Sequence, residues 1–249
     1  MHAGADMIGF NFYPKSPRYI DVGQCRDIMA VMRKYSHITY VGVFVNASAE
    51  EVRATLETAA LTLAQLHGDE TSQLVQSLDG KAFKAFRGVP QSVNGFARHD
   101  APAFLVDASV KGVYGGTGET ADWSAAAILA QQYPLLLAGG LTPENVVEAA
   151  QRVRPWGVDV ASGVESAPGK KDPTKMRAFV QAVKGLKTNL KHLHRMQVQV
   201  SLGSNYRDRG NHDIATHKIW SLWRAVCPRN IDAGVDRAGR GICLGKARC

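Results

Sequence analysis

Residues 104–123 read Phe-Leu-Val-Asp-Ala-Ser-Val-Lys-Gly-Val-Tyr-Gly-Gly-Thr-Gly-Glu-Thr-Ala-Asp-Trp. The stretch begins with a short apolar run that predicts a buried strand ending on Asp107. A glycine-rich loop follows, and a helix start signal at Asp122 closes the stretch. Asp107 thus stands where a strand delivers a carboxyl group to a loop whose backbone N–H groups can approach a ligand closely. An ordinary turn, with the Asp satisfied by local backbone, is the competing interpretation.

The same unit, an apolar strand followed by a helical pattern, repeats along residues 7–186. Seven apolar runs are separated by crossovers long enough to hold a helix, which is typical of parallel βαβ units. The helical patterns between the runs include a weak one near residues 92–98. Polar residues follow nearly every run, which favours the shared rim of a (β/α)8 TIM barrel over the single crevice of an open sheet. The runs are residues 7–12, 40–45, 63–66, 82–86, 103–106, 135–138 and 158–160.

A (β/α)8 barrel needs eight strands, and this part of the sequence supplies seven. Residues 1–6 read as the end of a helix, so we expect a barrel that lacks its first strand and most of the first helix. Such a barrel would be open, with two unpaired strand edges. Residues 195–202 alternate polar and apolar side chains, and the alternative interpretation is a strand that fills the vacant first position.

The net charge of +8 is confined to the last quarter of the chain. Residues 1–186 hold 18 basic and 18 acidic side chains, whereas residues 187–249 hold 12 and 4. We therefore divide the chain into a barrel domain, 1–186, and an irregular basic tail, 187–249, which we interpret as disordered or not native to the barrel. With Trp220 and Trp223, such a tail could bind nucleic acid non-specifically through phosphate neutralisation and stacking.

The composition argues against several other classes of protein. No apolar run approaches the roughly 18 residues of a membrane helix, and the first residues lack the pattern of a signal peptide. Cys25 is the only cysteine before residue 187, which agrees with a reducing compartment, and we expect a cytoplasmic protein. In the tail, His212, His217, Cys227 and Cys243 lack the close spacing of a zinc site.

Six motifs occur in order over residues 4–186. They are Phe-Tyr-Pro-Lys-Ser-Pro-Arg at 12–18, Val-Gly-Val-Phe-Val-Asn at 41–46, Gln-Leu-His-Gly-Asp-Glu at 65–70, Asp107 with Gly-Gly-Thr-Gly at 115–118, Ala-Gly-Gly-Leu-Thr-Pro-Glu-Asn-Val at 138–146, and Asp-Val-Ala-Ser-Gly-Val-Glu at 159–165. Together they resemble the phosphoribosylanthranilate isomerases of tryptophan biosynthesis. The resemblance implies an eight-stranded barrel, no metal or cofactor, and an Amadori rearrangement of N-(5-phosphoribosyl)anthranilate to 1-(2-carboxyphenylamino)-1-deoxyribulose 5-phosphate.

The resemblance also implies roles for an acid and a cation. Opening the ribose ring requires a general acid, and forming the enolamine requires a base on the other side of the sugar. Asp107 matches the acid. Arg18 matches the residue that holds the anthranilate portion, where a planar guanidinium suits a carboxylate; a salt bridge at the rim is the competing interpretation.

The substrate phosphate is expected on the backbone of Gly139, Gly140, Ser162 and Gly163, in the manner of barrel phosphate sites. For Ser162 the alternative is a helix cap. His67 could orient a ligand, but a hydrogen-bonded structural histidine is an equally good interpretation, and it is left out of the catalytic set.

The general base of the family is a cysteine in a Lys-Ile-Cys-Gly stretch that is missing here. Cys25 falls in a predicted helix outside the barrel, and Ser201-Leu202-Gly203 and Cys243-Leu244-Gly245 resemble the missing Cys-Gly only distantly. We therefore expect a monomeric or homodimeric isomerase that has the acid and the ligand-binding groups without the base. The rival prediction is an inactive barrel whose basic tail binds nucleic acid.

Overall fold

The chain forms a closed barrel of parallel strands. The computed structural model describes residues 4–108, 122–186 and 196–202. Within them the barrel strands are β1 (Met7–Asn11), β2 (Thr39–Phe44), β3 (Leu63–Leu66), β4 (Ala82–Arg87), β5 (Leu105–Asp107), β6 (Leu136–Ala138), β7 (Gly157–Val160) and β10 (Gln197–Leu202). A short antiparallel pair, β8 (Glu165–Ala167) and β9 (Lys170–Lys171), follows β7.

Helices connect the strands on the outside of the barrel. They are α1 (Val22–Met32), α2 (Ala49–Thr58), α3 (Ser72–Ser77), α4 (Trp123–Ala130), α5 (Val146–Val153) and α6 (Pro173–Gly185). None of the helices in the described part of the chain is long and apolar enough to cross a membrane. The predicted (β/α)8 barrel is confirmed, as are all seven strands predicted within residues 7–160.

A helix predicted weakly near residues 92–98 is wrong. This segment forms turns instead, and Gly95 has a φ of 75°, which suits a turn and not a helix. Phe96 packs edge-on against Phe86 of β4, with ring centroids 5.4 Å apart. Tertiary packing therefore anchors a segment that forms turns and no helix.

The vacant strand position expected from the sequence is filled. β10 pairs in parallel with β1 on one side and with β7 on the other, so both strand edges that would have been open have partners. The expectation of a barrel lacking a strand is therefore corrected, and the alternative interpretation of residues 195–202 is the one observed. We predicted that residues 187–249 are a disordered or non-native tail, and this is wrong for residues 197–202, which form a barrel strand. Residues 187–195 and 203–249 lie outside the described residues.

Alternation along each strand separates two apolar layers. One face of β10 points toward the helices, where Val198 and Val200 are buried among helix side chains. The opposite face contributes Gln199 and Ser201, both buried, to the barrel interior, because successive strand side chains point to opposite faces. The apolar part of the interior is formed by Met7, Val41, Leu63, Phe83, Ala85, Leu105, Leu136, Ala138 and Trp156.

Candidate active site

The rim formed by the carboxyl ends of the barrel strands carries all of the predicted site residues. Asp107 is the last residue of β5, and Arg18 lies in the loop after β1. Gly139 and Gly140 follow β6, and Ser162 and Gly163 follow β7. Active sites of TIM barrels are built at this end. The glycine-rich loop after Asp107, residues 109–121, lies outside the described residues.

The loops after β6 and β7 touch at Gly163. A Cβ atom added at Gly163 would lie 1.9 Å from the carbonyl oxygen of Leu141, so only glycine allows this approach. Gly139 and Gly140 have φ angles of 102° and 62°, a region that favours glycine. The four predicted phosphate-binding positions thus lie on two loops in direct contact, with Ser162 at the start of a short 3₁₀ turn, Ser162–Val164.

Arg18 is held by a carboxylate. Its Nε and Nη2 donate to Oε1 and Oε2 of Glu165 at 2.7 and 2.6 Å, a bidentate pair with the Glu165 side chain only 4% exposed. Lys171 Nζ donates to the same Oε1 at 2.8 Å. Burial acts to raise the pKa of Glu165, but the hydrogen bonds from Arg18 and Lys171 outweigh it and hold this pKa below its ordinary value. The salt bridge weighed as the alternative for Arg18 is thus present, and a role in binding anthranilate stays a prediction.

Asp159, on β7, is a buried carboxyl that the sequence reasoning did not select. Burial raises its pKa to about 7, and the neighbouring Asp107 carboxylate acts in the same direction. A hydrogen bond from Ser201 and the positive charge of Lys171 oppose the rise. Ser201 Oγ donates to Asp159 Oδ1 at 3.2 Å. Asp159 therefore changes protonation near neutral pH.

Gly9 of β1 makes room beside Ser201. The two residues are register partners, and a Cβ atom at Gly9 would lie 3.0 Å from Ser201 Oγ. The same Cβ would lie 3.3 Å from Nε2 of Gln199. The absence of a side chain at Gly9 thus allows the Ser201 hydroxyl and the Gln199 amide to lie close to the backbone of β1.

A chain of polar side chains crosses the interior from β10 to β3. Gln199 Nε2 donates to Gln65 Oε1 at 2.9 Å, and the Gln65 amide nitrogen lies 3.4 Å from Nδ1 of His67. Burial lowers the pKa of His67, and the nearby Asp107 carboxylate opposes that effect. The environment therefore favours a neutral His67 that lies within hydrogen-bonding distance of Gln65 and near Asp107.

Cys25 lies in α1, buried between helix and strands, and not on the rim. Burial raises the pKa of its thiol to about 12, so it stays protonated and unreactive. Among the residues that the structure describes, no group of three or more His, Cys, Asp and Glu side chains is arranged to hold a metal ion.

Sequence reasoning overlooked Asp159 and considered Ser201 only as part of a distant resemblance to the missing Cys-Gly. Asp159 was visible in the Asp-Val-Ala-Ser-Gly-Val-Glu motif at the end of a predicted strand, the same signal that selected Asp107. Ser201 belongs to a strand whose place in the barrel depends on a pairing with β1, far away in the sequence. The alternation of polar and apolar side chains predicted the strand. Its contact with Asp159 follows only from the pairing of β10 with β1 and β7 in the folded barrel.

Comparison with known proteins gives a consistent result. A family model described as N-(5'phosphoribosyl)anthranilate (PRA) isomerase matches residues 1–182. Over 187 residues the chain is 43% identical to an N-(5'-phosphoribosyl)anthranilate isomerase of Geotalea uraniireducens, a match that covers 75% of this chain and 91% of the relative.

Solved structures of phosphoribosyl anthranilate isomerases also match the chain. The crystal structure of phosphoribosyl anthranilate isomerase from Thermotoga maritima matches with a TM-score of 0.65 and 36% identity, covering 74% of this chain and 90% of that one. Another phosphoribosyl anthranilate isomerase, crystallised with reduced 1-(o-carboxyphenylamino)-1-deoxyribulose 5-phosphate, matches with a TM-score of 0.60 and 33% identity, covering 74% and 89%.

Proposed function

Because the chain belongs to the N-(5'-phosphoribosyl)anthranilate isomerase family of tryptophan biosynthesis, we propose that it carries out the family's reaction itself. It converts N-(5-phosphoribosyl)anthranilate to 1-(2-carboxyphenylamino)-1-deoxyribulose 5-phosphate. The observation that carries this proposal is the position of Asp107, at the carboxyl end of β5 on the same rim as the two glycine loops.

In this proposal Asp107 is the general acid. It donates a proton to the ring oxygen of the ribose as the bond from that oxygen to C1 breaks, and the anthranilate nitrogen supplies the electron pair of the new C=N bond.

The two ends of the substrate then have separate partners. The phosphate lies on the backbone of Gly139, Gly140, Ser162 and Gly163, whose loops are in contact and whose glycines permit close approach. Arg18 faces the anthranilate carboxylate, which competes with Glu165 for the guanidinium. A bidentate pair with Glu165 keeps that guanidinium oriented before substrate arrives.

Turnover of phosphoribosylanthranilate by the full chain tests the proposal, with the product identified by mass and chromatographic comparison. Asp107→Asn, which keeps the shape of the side chain, is expected to lower kcat by about 10²–10⁴, the usual contribution of a general acid. Glu148→Gln on the exposed face of α5 is the matched control and should turn over at the parent rate. No turnover by the parent chain, or full activity of Asp107→Asn, would overturn the proposal.

A second activity is favoured by the charge distribution, since residues 187–249 hold 12 basic and 4 acidic side chains. This segment would bind nucleic acid non-specifically. Binding of a random single-stranded oligonucleotide should weaken steeply with salt and disappear in a chain that ends at residue 202. Unchanged binding by the shortened chain, or none at low salt, would rule this activity out.

A further inference from the structure

Asp107 of β5 and Asp159 of β7 both face the barrel interior, and the small side chain of Ala138 on β6 lies between them in the strand register. Asp107 pairs with Ala138 of β6, and the register of β6 with β7, Leu137 beside Val158, brings Ala138 next to Asp159. Two strand spacings separate the Cα atoms of the two acids, about 10 Å. Since Ala138 offers only a methyl group, the space between the two carboxyl groups can accept part of a ligand.

This spacing suits a reaction that needs a proton donor and a proton acceptor on opposite sides of one sugar. The two acids also differ in environment, because Asp159 is deeply buried and receives a hydrogen bond from Ser201. Burial alone favours the protonated form of Asp159, whereas the hydrogen bond that Ser201 donates favours the carboxylate that a base requires.

We propose that Asp159 is the base that removes the proton from C2 of the ribose, and that Ser201 is a positioning residue that holds the Asp159 carboxylate. The proposal rests on the isomerase function proposed above and adds the group that accepts the proton. It also gives β10 a part in the chemistry, because Ser201 reaches Asp159 only when this strand fills the barrel.

The proposed reaction balances in protons and electrons without a cofactor. After Asp107 has opened the ring, the Asp159 carboxylate accepts the C2 proton, the C–H electrons form the C1=C2 bond, and the C=N electrons return to nitrogen. The enolamine then gains a proton at C1 and loses one from its C2 hydroxyl. Overall, the ring oxygen and C1 each gain one hydrogen, and C2 and its oxygen each lose one.

Other candidates for the base are less suitable. Lys171 is ion-paired with Glu165 and also donates to the carbonyl oxygen of Ala161 at 2.6 Å. Cys25 lies outside the barrel, in α1. Asp159 lies across Ala138 from Asp107, on the other side of the expected sugar position. Its pKa of about 7 leaves a substantial deprotonated fraction at neutral pH and keeps the carboxylate basic enough to accept a proton.

The first test is Asp159→Asn in the full chain. We expect kcat to fall by about 10²–10⁴, with little change in KM, because a proton acceptor acts in the transition state and the amide keeps the shape. Glu148→Gln, an exposed carboxyl-to-amide change on α5, is the matched control. An Asp159→Asn variant that unfolds like the parent and turns over at the parent rate would overturn the proposal.

The second test separates positioning from mere packing. Ser201→Ala removes a hydrogen bond that lowers the pKa of Asp159, so the rise of kcat with pH should move to higher pH, with activity recovered at the alkaline end. Ser201→Thr, which keeps a hydroxyl group at this position, should restore the parent profile. An equal loss at every pH for Ser201→Ala would contradict the role, and this test decides the matter if Asp159→Asn does not fold.

The outcomes distinguish the two proposals. Full activity of Asp159→Asn together with a large loss in Asp107→Asn would refute the base and leave the isomerase function intact. Absence of turnover in the parent chain would overturn both.

Discussion

Asp6 and Val198 exchange two hydrogen bonds although 192 residues separate them in the chain. The Asp6 amide donates to the Val198 carbonyl oxygen at 3.0 Å, and the Val198 amide donates to Asp6 Oδ2 at 3.0 Å. The same carboxylate forms an ion pair with Lys184 of α6. Asp6 therefore ties β10 both to the start of β1 and to the last helix.

Replacing Asp6 should weaken this closure. Asp6→Ala is expected to lower the free energy of unfolding by about 1–3 kcal/mol, because the buried Val198 amide loses its acceptor. Lys184→Gln removes the ion pair but leaves that acceptor in place, so its effect should be smaller, consistent with a partly exposed pair. Urea unfolding measures the free energy of unfolding of both variants. Equal decreases in the two would show that loss of the acceptor for the Val198 amide does not cause the destabilisation.

The contact of the two glycine loops predicts a localised defect. In Gly163→Ala the added Cβ would overlap the Leu141 carbonyl, so the loops must separate. We expect weaker inhibition by inorganic phosphate and a KM raised at least about tenfold, the change that corresponds to a loss of about 1.4 kcal/mol of binding.

Gly185→Ala is the matched control, because a Cβ at this position in α6 would meet no atom within 4 Å. It should leave phosphate inhibition and KM unchanged. Normal phosphate inhibition in Gly163→Ala would mean that the two loops do not form the phosphate site.

The bidentate geometry at Arg18 predicts that lysine cannot replace it. Arg18→Lys keeps the charge but loses the planar pair of donors, so the KM for phosphoribosylanthranilate should rise about 10–100-fold, from the roughly 1.5–3 kcal/mol of a charged hydrogen bond. The effect on kcat should be smaller. Steady-state kinetics measures both constants.

Glu165→Gln is the companion variant for Arg18. It keeps the side-chain shape but weakens the ion pairs with Arg18 and Lys171. The loop that carries Arg18 should then be held less firmly, while the Arg18 guanidinium stays available to bind substrate. A KM for Arg18→Lys equal to that of the parent would assign Arg18 to the salt bridge alone.

Asp159 should make folding stability depend on pH in a direction unusual for an acid. Its pKa is raised to about 7 in the folded chain, from an ordinary value near 4, so between these values the folded state holds a proton that the unfolded state has released. Stability contributed by this group is therefore present below about pH 4 and is lost as pH rises toward about 7, at up to about 1.4 kcal/mol per pKa unit.

Thermal or urea unfolding at pH 4, 5.5, 7 and 8 checks this, because Asp159→Asn cannot titrate and should show a flatter profile over this range. Asp107 on β5, Lys171 on β9 and Ser201 on β10 face the same carboxyl and remain in the variant. Parallel profiles for parent and variant would mean that Asp159 keeps an ordinary pKa.

The sequence predicted the barrel well because the signals for it are local. Each short apolar run, such as the one that ends on Asp107, carries its own strand pattern, and the glycine pair at 139–140 marks its own loop. These features need no knowledge of distant residues. The exception was the helix near residues 92–98, where packing of Phe96 on Phe86 outweighs a weak helical pattern.

What the sequence could not supply were contacts between distant segments. The pairing of Glu165 with Arg18 joins residues 147 positions apart, and that of Ser201 with Asp159 depends on which gap β10 enters. Burial of Asp159, which raises its pKa, is likewise a property of the closed barrel and not of the motif around it. Local patterns therefore gave the strands and the position of Asp107 at the end of β5, and long-range pairing gave the candidate base.

The position of β10 also has a consequence for biosynthesis on the ribosome. β1 leaves the ribosome early, but one of its two neighbours, β10, is translated only after the other seven strands. Until residue 202 has emerged, the nascent barrel presents open edges on β1 and β7, which chaperones or other chains can bind. Completion of the barrel and assembly of the Ser201–Asp159 contact are therefore the same late event, so an unfinished chain has no working base.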